Sequence, residues 1–312
     1  MHFALSLKPL HFRSLVKLAS QSVNTPCFNQ SETDCSLYRE WISAQRYPGG
    51  AAPGRDAGPA DLDIPVSVGD PFHDQIGVSS ISIALKPPEF VSGAVLDDID
   101  DSAGVAASAG RLLRPRLLYA AKVSRFAVVI LLQLAMSPDI PLKADDYATK
   151  VHNDFHDFVR IRGSELSSAC DDNNDCSFTS DLSSAVSAFE SAARAFHSAY
   201  DTTTPALELL AHHEYSDQLM ETERAFLAPA SIVRGGTFPN GIGGHVLYGP
   251  DPLNAARAVL FPGVSAALEM TRVAEDKGAA VDALRREVFV VVNALNAAKC
   301  VLDNHLVWDS NH

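Results

Sequence analysis

The apolar residues after about residue 112 recur every three or four positions, which is the period of an amphipathic helix. The pattern predicts six helices, separated by polar, proline-containing or glycine-rich connections such as residues 234–244. They cover residues 112–136, 144–166, 178–200, 204–227, 251–274 and 279–302, and the fifth is interrupted at residues 261–263. Antiparallel helices with short connections are typical of a helical bundle.

The last predicted helix is the most regular of the six. Its apolar side chains lie on one broad face, as packing inside a bundle requires. This face contains Leu284, Val288, Val291, Val292, Leu295, Ala298 and Leu302. We therefore predict that these residues contribute to the core.

The first hundred residues have a different pattern. Residues 9–23 predict a helix, residues 47–59 are dense in glycine and proline and predict an irregular loop, and residues 77–84 alternate as a half-buried strand does. This change of pattern, together with a length of 312 residues, indicates about two domains.

Composition narrows the classes of partner. The 25 basic and 38 acidic residues give a net charge of −13, and no basic stripe is present, so we expect no nucleic-acid partner. The longest nearly unbroken apolar run, residues 126–136, is shorter than the roughly 20 residues that a bilayer requires. We expect no membrane span in this chain.

The cysteines leave the compartment open. Cys27 and Cys35 are close in sequence, as are Cys170 and Cys176, and both pairs could form local disulfides. A glycosylation sequon begins at Asn29. Cysteine pairs and sequons also arise by chance, so a lumenal or extracellular setting and a reducing one both stay open.

Two acidic runs suggest cation binding without completing a site. Residues 97–101 are interpreted as a solvated acidic turn before a helix. Residues 171–175 place Asp171, Asn173 and Asp175 at alternate positions, as in a calcium loop. That pattern fails because Cys176 replaces the required glycine and Leu182 replaces the closing glutamate.

The histidine and glycine motifs are equally incomplete. His152 and His156 could share a metal at i and i+4, but Asn153 stands where the HExxH motif needs glutamate, so we interpret them as exposed helix residues. His212 and His213 point in different directions on a helix. Residues 235–244 lack the lysine of a phosphate-binding loop. We predict no catalytic, metal-binding or substrate-binding residue in this chain.

An ordered series of motifs nevertheless resembles a known family. The series consists of DQLM-x-x-ERAF at 217–226, HVLYGP at 245–250, FPG-x-x-x-AL at 261–268 and a long final helix. It resembles the helical dimerisation domain of the transferrin receptor and glutamate carboxypeptidase family. Weaker similarities to that family lie upstream, at residues 36–41, 72–80 and 137–148.

The resemblance implies a mostly α-helical chain with two parts. Residues 1–110 would be the C-terminal remnant of an α/β zinc-peptidase domain, and residues 111–312 a helical-bundle dimerisation domain. It also implies a homodimer formed through the helical domain. If the full-length protein follows the family, its location is lumenal or extracellular.

The metal-binding and substrate-binding residues of the family are not matched in this sequence. Its peptidases hold two zinc ions, and the zinc-binding histidine expected in this region aligns with Gly93. The lysine and tyrosine that bind substrate align with residues 253–256, and the substrate-binding arginines are missing from residues 81–85. We therefore expect no cofactor in this chain, although the family uses zinc.

Three functions follow from the resemblance. The first is a non-catalytic, dimer-forming relative or fragment of the glutamate carboxypeptidase family. The second is the C-terminal part of an active zinc carboxypeptidase that releases C-terminal residues from peptides. The third is a receptor or sorting module that binds a protein partner.

Overall fold

A computed structural model describes residues 2–7, 76–78, 81–86, 121, 124–136, 143–169, 177–201, 208–228, 244–251 and 254–303. The predicted helix at 9–23, the loop at 47–59 and the acidic runs at 97–101 and 171–175 lie outside these residues. The paired cysteines and Gly93 do so as well.

The chain divides into two compact units. The first contains strands β1 (His2–Leu7, with Leu7 just beyond the boundary) and β2 (Ile81–Lys86), which pair in a two-stranded sheet, and helix α1 (124–136). Phe126 and Ile130 of α1 are buried. The division predicted at 110/111 stays a prediction.

The predicted strand at 77–84 is shifted in the structure. Gly77 has φ of 67°, a left-handed conformation that is incompatible with a continuous strand, and the strand begins only at Ile81 and runs to Lys86. The alternating pattern thus located a strand but misplaced its start.

The second unit contains residues 142–312 and holds five helices among its described residues. These are α2 (Ala144–Ser168), α3 (Phe178–Asp201), α4 (Glu208–Arg224), α5 (Pro262–Val273) and α6 (Lys277–Asp303). The mostly helical class is confirmed, and α2, α3 and α6 match their predicted bounds within two residues. Helix α4 ends at Arg224, three residues before the predicted end.

The predicted start of the fifth helix is wrong. Residues Asn254–Leu260 form strand β4, which pairs antiparallel with strand β3 (Tyr248–Asp251) and aligns Tyr248 with Leu260. The alanine-rich segment has helical propensity, but its backbone is paired with β3, so tertiary context overrides that propensity. The helix begins only at Pro262.

Helix α6 is central to the second unit and packs against α3, α4 and α5, while α2 packs against α3. Its predicted apolar face is confirmed, because six of the seven named residues are buried and Val292 is half-buried. Leu284, Leu295 and Leu302 are fully shielded from solvent. None of the helices in the described residues combines the length and apolar character needed to cross a membrane.

Candidate functional site

The sequence motifs meet in the interior of the second unit. We call Tyr147, Glu223, Phe226, His245 and Tyr248 the motif cluster. Tyr147 lies on α2, Glu223 lies in the last turn of α4, and Phe226 lies two residues after that helix. The antiparallel pair β3–β4 is called the hairpin; Tyr248 is its first residue, and His245 lies three residues before it. All five are at most 5% exposed.

Backbone pairing brings the residues at and after the end of α4 next to the residues before β3. The chain after α4 pairs with the segment before β3, because Val246 N–H donates to the carbonyl of Phe226 at 2.8 Å and Leu227 forms an isolated antiparallel bridge with His245. Glu223 and His245, which are distant in sequence, therefore become neighbours.

Glu223 and His245 form a buried polar pair. Nε2 of His245 lies 3.2 Å from Oε1 of Glu223, and their side chains are 0% and 1% exposed. Water does not reach either group at this burial, so each depends on protein partners for its polar interactions. The pair is shielded from any ligand in solvent, so its role is to stabilise the fold.

The backbone sets the tautomer of His245. The N–H of Tyr248 donates to Nδ1 of His245 at 3.2 Å, so Nδ1 carries a lone pair. The proton of the imidazole is then on Nε2, the nitrogen that faces Glu223. One ring thus links the turn before the hairpin to the end of α4.

Tyr147 is the aromatic centre of the cluster. Its ring makes edge contacts with Phe189 and Phe226, at centroid distances of 6.1 and 5.9 Å. Burial raises the pKa of Tyr147 well above its ordinary value, and the negative charge of Glu223 raises it further. Its phenol therefore stays neutral in the folded protein.

A second polar contact joins the hairpin to α2. The hydroxyl of Tyr248 donates to Oδ2 of Asp154 at 2.8 Å, and Nζ of Lys150 lies 3.1 Å from the same oxygen. Asp154 and Lys150 are partly exposed, so this chain of contacts runs from the interior to the surface. The hairpin is thereby tied to α2 as well as to α4.

The FPG motif makes the turn from β4 into α5. Phe261 is buried in a left-handed conformation with φ of 52°, and Pro262 occupies the first turn of α5. Gly263 lacks a side chain where the carboxylate of Glu287 approaches the start of the helix. A negative group is favourable at that helix end.

An ion pair attaches α5 to α2. Nη2 of Arg162 lies 2.6 Å from Oε1 of Glu269, and each side chain is 19% exposed. Glu165 on α2 contacts the same guanidinium at 3.2 Å. The helices of the second unit are thus joined by polar contacts as well as by their apolar faces.

The α3/α6 groove is a surface feature of about 310 Å³ between α3 and α6. Its apolar lining comes from both helices and includes Phe178, Ala185, Ala188, Val288, Phe289 and Val292. Phe289 is 65% exposed. The charged residues of the lining are Asp181 on α3 and Arg285 on α6.

The described residues include only some of the histidine and glycine motifs that the sequence suggested as candidate sites. His156 is exposed as expected, whereas His152, for which exposure was also expected, is half-buried. His213 is exposed. Residues 235–243 lie outside the described part, as does Leu253. Within the described ranges, no group of three or more histidine, cysteine, aspartate or glutamate side chains could hold a metal.

Sequence reasoning missed the pairing of Glu223 with His245. Both residues belong to the motifs DQLM-x-x-ERAF and HVLYGP, but the hydrophobic periodicity of these segments predicts only a helix end and a turn. The signal that could have found the pair was the occurrence of two titratable residues inside otherwise apolar motifs, since buried charges need partners.

Comparison with known proteins agrees with this architecture. Residues 178–303 match the family model of the transferrin receptor-like dimerisation domain. No curated protein matches the chain. The matched segment contains α3 to α6, the hairpin, Glu223, His245 and the whole lining of the α3/α6 groove. This part of the chain is therefore similar to the transferrin receptor-like dimerisation domain.

Proposed function

We propose that the chain is a self-associating protein whose dimer forms across the α3/α6 groove, with a second copy of the chain as the occupant. The observation that carries the proposal is that every residue lining the groove lies within the matched dimerisation domain. A dimerisation domain needs a self-complementary surface, and we assign that role to the groove.

The groove has the apolar centre that an interface needs. Phe289 is 65% exposed among other apolar lining residues, while the opposite face of the same helix is buried in the core. Aromatic side chains in the middle of an interface are frequent hot spots because they bury a large area with few rotatable bonds.

The charges of the groove are complementary under twofold symmetry. In a symmetric dimer a residue i that contacts residue j of the partner is matched by j contacting i. Asp181 lies on α3 and Arg285 on α6, so a twofold axis along the groove would bring each close to the other residue of the second copy. The dimer would then contain two Asp181–Arg285 pairs, one on each side of the axis.

Sedimentation of the full chain tests this proposal. We expect a concentration-dependent species of twice the 33.4 kDa chain mass. The substitution Phe289→Glu is expected to weaken dimerisation about 30-fold or more, as loss of a hot spot does. The matched control is Val273→Glu on α5, because Val273 is 82% exposed and lies outside the groove.

Two results would overturn the proposal. Wild-type chain that stays monomeric up to high micromolar concentration would refute self-association. A Phe289→Glu chain that dimerises as tightly as wild type would show that the groove is occupied by something else, such as a segment of the same chain or a different partner.

The same proposal assigns no peptidase chemistry to this chain. Its support is the resemblance, in which Gly93 stands where a zinc-binding histidine is expected. Glycine offers no side-chain ligand. Incubating the full chain with zinc and a set of peptides is expected to release no C-terminal residue, and zinc-dependent release would contradict this part of the proposal.

A further inference from the structure

We infer that His152 and His156 form a binding site for a divalent transition-metal ion, completed by solvent and oriented by Glu190. The inference rests on the arrangement of these three side chains on α2 and α3. It does not depend on the proposed dimer, because none of the three residues lines the α3/α6 groove.

The two imidazoles converge on one point. Nε2 of His152 lies 3.1 Å from Nε2 of His156, and the ring centroids are 4.8 Å apart. Two histidines on one zinc ion, with Zn–N bonds of about 2.0–2.1 Å at a tetrahedral angle, place their nitrogens roughly 3.3 Å apart. The observed separation therefore fits two ligands of a single metal after a small adjustment.

Glu190 prepares His152 for this role. Oε2 of Glu190 lies 3.0 Å from Nδ1 of His152, and the glutamate is only 13% exposed. A carboxylate at that position favours the proton on Nδ1, which leaves the lone pair on Nε2 for a metal. Carboxylates bound to the distal nitrogen of a metal-binding histidine orient the ring and increase its basicity.

The surroundings leave room for an ion. His156 is exposed and His152 half-buried, so an ion from solvent can reach the pair. Since no third ligating side chain joins them among the described residues, water would fill the remaining positions. Imidazole nitrogens suit zinc, nickel and copper, and copper(II) is expected to bind most tightly.

A metal titration of the full chain, stripped with chelator, tests the inference. We expect the wild-type chain to bind one more equivalent of Zn²⁺ than the His156→Ala chain by calorimetry. The matched control is His213→Ala, which removes another exposed helical histidine and should leave the stoichiometry at this site unchanged. Circular dichroism of each variant checks that α2 remains folded.

Copper(II) gives a spectroscopic signature. Electron paramagnetic resonance of the wild-type chain with one equivalent of Cu²⁺ should show coupling to two imidazole nitrogens, and the His156→Ala spectrum should lack this signal. Glu190→Gln is expected to weaken Zn²⁺ binding about tenfold while keeping its stoichiometry, as loss of an orienting carboxylate does.

Two experimental results would contradict the metal site or the role of Glu190. Equal Zn²⁺ stoichiometry and affinity in the wild-type and His156→Ala chains would overturn it, and the 3.1 Å contact would then be a shared proton only. Unchanged affinity in Glu190→Gln, with binding lost in His156→Ala, would overturn the assigned role of the glutamate.

Discussion

Removing His245 should destabilise the folded chain far more than removing a surface charge. Glu223 and His245 are 1% and 0% exposed and lie 3.2 Å apart, so His245→Ala leaves a buried carboxylate without this partner. Breaking a buried pair by removing one member costs about 3–5 kcal/mol. The N–H of Tyr248 also loses its acceptor on Nδ1, which adds to the penalty.

Urea unfolding followed by circular dichroism measures this cost. The matched control is Glu221→Ala, which removes an exposed i,i+3 partner of Arg224 and should cost at most about 1 kcal/mol. Two conservative variants separate the contacts of the ring. His245→Asn can still accept from the Tyr248 N–H, whereas His245→Gln can still reach Glu223, so each should recover part of the loss.

A double-mutant cycle isolates the pair itself. The loss of unfolding free energy in the double variant Glu223→Gln/His245→Gln should be smaller than the sum of the losses in the two single variants, because two neutral amides can hydrogen-bond to each other. The reasoning would be refuted if His245→Ala lowered the free energy of unfolding by no more than Glu221→Ala does.

Three further predictions concern the packing of the same unit. Val291→Asp places a charge at a position that is 2% exposed, so the melting temperature of this variant should fall sharply. The control Val273→Asp, at an 82% exposed position, should melt near the wild-type temperature. An unchanged melting temperature for Val291→Asp would contradict the helix-face assignment. Gly249→Ala brings a Cβ within 2.9 Å of the rigid Pro262 ring and should lower the free energy of unfolding by about 1–3 kcal/mol. The control Gly278→Ala meets only an ordinary contact at 3.4 Å and should be neutral or slightly stabilising. Equal effects of the two substitutions in urea unfolding would refute the close approach. Burial and Glu223 raise the pKa of Tyr147 in the folded state, so as pH rises above about 10 the unfolded chain loses this proton before the folded chain does. The free energy of unfolding therefore falls in that pH range. Tyr147→Phe should show a shallower loss in that range, and parallel pH profiles would argue against it.

Helix periodicity predicted most of the second unit because packing and local preference agree there. Helices α2, α3 and α6 carry continuous apolar faces, and each occurs where the pattern places it. The pattern failed at residues 254–260, whose alanines favour a helix but whose backbone pairs with β3. Pairing between strands depends on a neighbour that a local window does not contain.

The candidate sites were predictable only in part, for the same reason. The i,i+4 spacing placed His152 beside His156, but Glu190 comes from α3 and only the packing of α2 against α3 brings it to the ring. Glu223 and His245 likewise meet through pairing of the chain after α4 with the chain before β3. The exposure of Phe289, on a helix with an otherwise strong buried face, also required the three-dimensional structure.

The most direct test of the central claim is a charge-exchange experiment at the α3/α6 groove. Asp181→Arg alone opposes like charges twice across the proposed twofold axis, and Arg285→Asp alone does the same with the opposite sign. Each variant should therefore sediment as a monomer at concentrations where wild type is a dimer. An equimolar mixture restores two oppositely charged pairs and should recover a species of twice the 33.4 kDa chain mass. A mixture that remains monomeric, or single variants that dimerise as wild type does, would contradict self-association across this groove.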